Sequence, residues 1–202
     1  MRKINRLPYT TLMKFVFTPF LFLLTISCGK ELSREGAPSL GTVSIFTDQI
    51  PDGQPRNDYR GVIQLGLKVR ADVSGYAYGI RFYKIPGDSG THTAQLYTPD
   101  GTLLASQVFL NETDSGWQTA VFETPVPIAA ATTYIAAYHS ILGNYISSVS
   151  GMTTAITNGP LTALADSTDG ENGLFKYTDT PGLPDRGYLA SNYWVDVIER
   201  LR

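Results

Sequence analysis

Two histidines and a single cysteine stand beside 18 acidic residues as the groups from which this 202-residue chain could build reactive chemistry. The loop Gly87-Asp88-Ser89-Gly90 sets a serine hydroxyl between glycines, as a nucleophile loop does. A serine needs a general base to take its proton. No histidine precedes Ser89, and the first, His92, lies three residues beyond it, so the order of base, orienting carboxylate and serine is missing. The loop therefore reads as a turn built of turn-forming residues. His92 is in register with Ala94 and Leu96, and His139 with Ile135 and Ala137. Each is expected as a partly buried ring satisfied by hydrogen bonds, because no spaced set of cysteines or carboxylates joins them into a metal site.

Three further groups of residues carry an expectation. Asp166, Asp169 and Glu171 gather oxygen ligands in one loop, a candidate calcium site, but Gly170 occupies the place of the third ligand of an EF-hand. A solvated turn is the expectation there, with calcium as the alternative and no other cofactor implied. Arg81 and Asp196 are charges set within apolar strands, where an unpaired charge is costly, so they are expected to pair with each other. Trp117 follows the polar loop 111–116, and Tyr145 follows Gly143-Asn144. A sugar offers apolar faces and outward hydroxyls, so exposed aromatic rings beside polar turns suit it. Trp117 and Tyr145 are accordingly expected as platforms, with Asn144 and Asp114 as hydroxyl partners and Trp194 in the core.

The elements that must position these residues are strands. From Val43 onward short alternating segments separate clusters of Gly, Pro, Asn, Asp and Ser, with no helical stripe and no fixed repeat. In Gly75 to Tyr83 the alternation predicts Tyr76, Tyr78, Ile80 and Phe82 on the core side. Ile63, Leu65, Leu67 and Val69 predict a strand with one buried face. Pro99-Asp100-Gly101 predicts a hairpin between Thr91–Tyr97 and Leu103–Leu110. Gly116–Phe122, Thr133–Ser140, Asn144–Val149 and Tyr193–Ile198 read as further strands, and Leu161–Leu164 and Leu174–Tyr177 as short edge strands in the loop-rich stretch 152–187. The fold class is all-β, an antiparallel β-sandwich of the jelly-roll or Ig-like kind.

The segments Gly79-Ile80-Arg81-Phe82-Tyr83-Lys84 and Gly90-Thr91-His92-Thr93 resemble the central motif of a bacterial extracellular domain-of-unknown-function family, 4082. Gly116-Trp117-Gln118, Thr124-Pro125-Val126, Thr132-Thr133-Tyr134 and Asn192-Tyr193-Trp194-Val195-Asp196-Val197 are similar to the same family in the same order. Ala94 and Tyr97 depart from the Gly and Trp of the family pattern. The resemblance implies a β-sandwich that accompanies Ig-like and carbohydrate-handling domains in secreted proteins, with no established activity.

The amino terminus reads as an address. Arg2, Lys3, Arg6 and Lys14 precede an apolar run from Phe15 to Ile26, the layout of an export signal, and shorter than the roughly 20 residues a bilayer span needs. Thr25-Ile26-Ser27-Cys28-Gly29 then resembles the lipobox of bacterial lipoproteins, in which the cysteine is acylated. Residues 1–27 are expected as signal peptide, 28–42 as a tether from the lipid-anchored Cys28, and 43–202 as the sandwich. Loss of the four basic residues before Cys28 takes the net charge from −2 to −6. An acidic surface argues against nucleic acid as a partner. Cys28 is the sole cysteine, so the domain is expected to hold together by its core and not by disulfides. These features together lead to the expectation of an exported module, anchored in the cell envelope at the outer membrane, that binds and does not catalyse. A glycan is the expected partner, a cell-surface protein the second reading, and a hydrolase with an unrecognised site the third.

Overall fold

The computed structural model describes residues 41–201. The expected signal peptide, Cys28 and all but the end of the tether lie outside the described residues. Among the described residues, fourteen strands follow in chain order. The first half holds β1 (Thr42–Val43), β2 (Gln54–Asn57), β3 (Ile63–Ala71), β4 (Gly75–Lys84), β5 (His92–Tyr97), β6 (Leu103–Val108) and β7 (Gly116–Ile128). The second holds β8 (Thr133–Ser140), β9 (Asn144–Ser147), β10 (Ile156–Asn158), β11 (Leu161–Ala163), β12 (Leu174–Tyr177), β13 (Arg186–Gly187) and β14 (Val195–Leu201). Every pairing among them is antiparallel.

Two sheets form an all-β sandwich. The smaller has the order β1-β14-β4-β7; the larger runs β10-β11-β3-β8-β5-β6, with β12 on β3 and β13 on β12. The outer edge of β3 is shared, since β11 pairs with Val69 to Ala71 and β12 with Ile63 to Gly66. A two-stranded sheet of β2 and β9 sits apart from both ladders. Ile80, Phe82, Val195 and Val197 of the smaller sheet share one core with Leu65, Leu67, Leu96 and Tyr138 of the larger. Phe82 stacks on Tyr138 at 4.3 Å, at the centre of that core.

The expected core face of β4 is corrected. Tyr76 and Tyr78 are half-buried, and Ala77 is the fully buried residue beside Ile80 and Phe82. A bulge is the cause: Tyr78 is skipped in the register with β7 and again in the register with β14. One unpaired residue shifts the side-chain alternation, so two successive core residues are separated by an odd step.

The strand β3 is also buried on both faces, where one was expected. Its outward Gln64 and Gly66 lie beneath the segment 178–185, and a Cβ at Gly66 would stand 2.6 Å from the ring of Pro184. Tyr97, Ile135, Ala137 and Leu174 form a second small cluster on that face, closed by Leu183. The strand β7 runs on to Ile128, beyond the expected Phe122, and β14 starts at Val195, after Trp194.

Candidate functional site

An open groove of about 420 Å³ lies between the small β2-β9 sheet and the edge strands β12 and β13 of the larger sheet. Its wall is rich in aromatic rings: Tyr59, Tyr145, Phe175, Tyr177, Tyr188 and Tyr193. Arg56, Arg60 and Arg186 line it as well, with Asp58 as its one carboxylate. Tyr59 is 88% exposed and Tyr188 58% exposed, so large ring surfaces face solvent here.

Local backbone geometry holds this wall in place. Asp58 starts a turn in which its carboxylate accepts the Arg60 amide at 3.0 Å, and its own amide donates to the Gly143 carbonyl at 2.9 Å. Gly143 has φ +66°, and a Cβ there would run into the Gly61 carbonyl, so the turn before β9 and the loop after β2 touch through bare backbone. That contact sets Tyr59 and Arg60 at the rim. The Arg60 side chain is then fixed by rings: its Nε donates to the Tyr59 hydroxyl at 3.0 Å, and its guanidinium lies 4.8 Å from the Tyr177 centroid. Tyr177 donates its hydroxyl to Asp58. Arg186 lies 5.1 Å from the Phe175 centroid, and Tyr145 meets Tyr193 edge-on at 5.7 Å.

The phenols here are weak acids. Burial, then the hydrogen bond to Asp58 and its charge, push the Tyr177 hydroxyl well above the ordinary tyrosine value. Burial and the charge of Asp58 raise Tyr145 likewise, and burial with the charge of Tyr145 raises Tyr193. A phenol acting as a base near neutral pH needs a shift the other way. These groups are suited to donate hydrogen bonds.

The expected platforms are divided by the structure. Tyr145 lines the groove; Trp117 does not. The Trp117 ring has the Arg81 guanidinium 4.1 Å from its centroid on the smaller sheet and stacks at 6.1 Å with Phe46, while its indole Nε1 donates to the Gln49 carbonyl at 2.9 Å. Trp117 is thus half-buried packing, and Trp194 is buried as expected. Asn144 accepts from Asn57 and donates to Asp88 at 3.4 Å, and it is not part of the groove lining. Asp114 is exposed in its loop, also outside the lining.

Arg81 and Asp196 do pair, directly opposite each other on β4 and β14. The Arg81 Nη2 and Nε donate to one Asp196 oxygen at 2.8 and 3.1 Å, and the carboxylate also accepts the amides of Ile45, Phe46 and Val197. Burial pushes the Asp196 carboxyl up, against the Arg81 charge and these donors. The pair fastens the segment 44–49 across the outer face of the smaller sheet.

The two histidines lie on opposite faces of the larger sheet. His92 is fully buried against Phe82, with Nε2 2.9 Å from Asp88 and Nδ1 3.0 Å from Glu112, which also takes Lys84 at 3.0 Å. Both ring nitrogens are thus engaged by carboxyl groups. Neither nitrogen is left to serve the exposed Ser89 as a base. Burial raises the Asp88 carboxyl, but the His92 hydrogen bond and charge, the Gly90 amide and Asn144 carry it below the usual value. His139 is buried on the far face and bonds to the Thr178 carbonyl at 2.9 Å.

The carboxylates of the calcium candidate do not converge. Asp166 accepts the Asn172 amide at 2.9 Å, Asp169 faces Arg70 at 3.4 Å, and Glu171 accepts the Gly187 amide at 2.9 Å. Among the described residues no group of His, Cys, Asp and Glu has the arrangement of a metal site. The loop is organised instead by Asn172, fully buried, whose amide bonds the backbone of Lys68 in both directions and the Leu164 carbonyl.

Sequence reasoning missed most of the groove: Tyr59, Arg60, Phe175, Tyr177, Arg186 and Tyr188. The one available signal was Arg56-Asn57-Asp58-Tyr59-Arg60, an aromatic residue between arginines in a turn cluster. The chain is an all-β antiparallel sandwich, and it belongs to the family described as Domain of unknown function (DUF4082), whose model matches residues 48–195. No curated protein matches it.

Proposed function

We propose that this chain is an exported, lipid-anchored, non-catalytic module that binds glycan in the groove between β2-β9 and β12-β13. The observation that carries the reading is the wall of six aromatic rings interleaved with arginine and phenol hydrogen-bond donors in an open groove of about 420 Å³. Such a surface offers what a saccharide needs, flat apolar faces for its CH groups and polar side chains for its hydroxyls. The non-catalytic part of the reading is supported by phenols raised away from base strength and by the engagement of Asp58 with Tyr177 and Arg60. The envelope address rests on the order of charged, apolar and small residues before Cys28. A fatty-acid probe should label the chain and fail to label Cys28→Ser.

A glycan array probed with the chain and with Tyr188→Ala tests the binding reading. Binding to one or more glycans, lost in the variant at unchanged melting temperature, is the expected result; a bound glycan unaffected by the substitution would refute the groove.

A second reading, a protein-interaction or surface-assembly module, draws on β6. This strand ends the larger sheet, shows Leu103 and Val108 to solvent, and has no proline or charge in Leu103–Val108 to blunt its edge. A partner strand added there would leave the groove free.

A further inference from the structure

The groove's charge runs against that of the chain that carries it. The chain has a net charge of −2, yet the groove places three guanidinium groups beside one carboxylate. That carboxylate is already used, since Asp58 accepts from the Tyr177 hydroxyl and the Arg60 amide. Arg186 has Asp185 at 3.8 Å, but Asp185 sits closer to Lys176, at 2.9 Å. Among the described residues neither Arg56 nor Arg60 forms an ion pair. Unpaired guanidinium groups gathered in a concave surface create a local positive field and a fork suited to oxyanions.

Position narrows the anion further. The guanidinium of Arg60 lies 5.5 Å from the Tyr59 centroid and 4.8 Å from that of Tyr177, and Arg186 lies 5.1 Å from Phe175. Each charge is therefore held beside a ring, and Arg60 is further fixed by its bond to the Tyr59 hydroxyl. A pyranose resting against the exposed aromatic surface beside these charges brings an anion carried on its own ring within their reach. A uronic acid has that arrangement, with the carboxylate on a ring carbon. A sulfate ester stands off by a further oxygen.

We propose that the groove selects a uronic-acid glycan, its carboxylates met by Arg56, Arg60 and Arg186 and its apolar faces by the neighbouring rings. This rests on the glycan reading of the same groove. Pre-positioned arginines lower the ordering cost of binding and make recognition depend on the acid group. Binding is accordingly salt-sensitive, in contrast to stacking alone.

Affinity electrophoresis of the full chain in mild detergent tests this. The gels contain polygalacturonate, alginate or hyaluronan, each beside its carboxyl-reduced form, with dextran sulfate and polyglutamate as controls. The expected result is retardation by at least one uronate polymer, lost on carboxyl reduction and weakened about tenfold in Arg60→Gln/Arg186→Gln. These arginines are exposed, so the melting temperature should stay within a few degrees of wild type. Equal retardation by a polymer and its reduced form, abolished by Tyr188→Ala but not by the arginine variant, would overturn the acid selectivity and leave the glycan groove standing. Retardation insensitive to Tyr188→Ala would overturn both, whereas retardation by none of the uronates would overturn the uronate selectivity and leave the glycan groove to the array. Stronger retardation by dextran sulfate would reassign the anion to sulfate. Equal retardation by polyglutamate would show a patch for any polyanion and refute the proposal.

Discussion

Arg81 and Asp196 meet across β4 and β14 with the aspartate fully buried, so each is the other's main compensation for leaving water. Truncating Asp196 also strips acceptors from the Ile45 and Phe46 amides. Either Arg81→Ala or Asp196→Ala should lower stability by roughly 3–5 kcal/mol, and a double-mutant cycle from urea unfolding should show the two effects to be far from additive. Glu199 presents the opposite case. Both its oxygens are buried and have no hydrogen-bond partner among the described residues, and burial lifts its carboxyl from the ordinary 4.5 to about 7. Between those values the unfolded chain has released the proton that the folded chain still holds, so stability falls as pH rises and levels off above about 7. Glu199→Gln should flatten that decline and stabilise the protein by up to about 3 kcal/mol at pH 8, with little change at pH 4. Urea midpoints that track wild type across this range would contradict the assignment.

At the level of elements, the groove depends on how two loops touch. Gly143 brings the turn before β9 against the Gly61 carbonyl, which leaves the Tyr59 and Arg60 loop one position to occupy. Gly143→Ala adds a Cβ where φ is +66° and space is absent, so either loop must move. The expected outcome is a loss of about 2 kcal/mol in stability together with weakened glycan binding, read by thermal melting and affinity electrophoresis. Retained affinity would show that the loop does not shape the site. Strand existence was legible in the sequence because alternation is local: β3, β4, β5, β8 and β12 fall where periodicity places them. The Tyr78 bulge was not, because an unpaired residue is fixed by the register of β7 and β14 on both sides, and that register appears only when the strands meet. Short β2, β10 and β13 carry too few residues to show a period.

Across the whole molecule, a sandwich with one shared core brings distant segments to a common edge. Asp58 and Tyr177 are 119 positions apart, yet they share a hydrogen bond because β12 and the start of β3 lie side by side. That is why the ion pair of Arg81 and Asp196 could be read from the sequence and the groove could not. A charge in an apolar strand announces its need for a partner, while Tyr59, Tyr177 and Tyr188 in loops and at strand ends announce nothing until the edges assemble. Trp117 shows the converse, since its place beside a polar loop suggested an exposed platform, whereas the fold lays Arg81 and Phe46 against it. The central claim is that ligand meets the tyrosine groove and not the tryptophan face. Titration of the ring-labelled chain with oligosaccharides of its best-bound array glycan, followed by nuclear magnetic resonance, separates the two surfaces. The account predicts shifts in the ring signals of Tyr59, Tyr145, Tyr177 and Tyr188 with the indole signals of Trp117 and Trp194 unmoved; movement of Trp117 with silent groove tyrosines would contradict it.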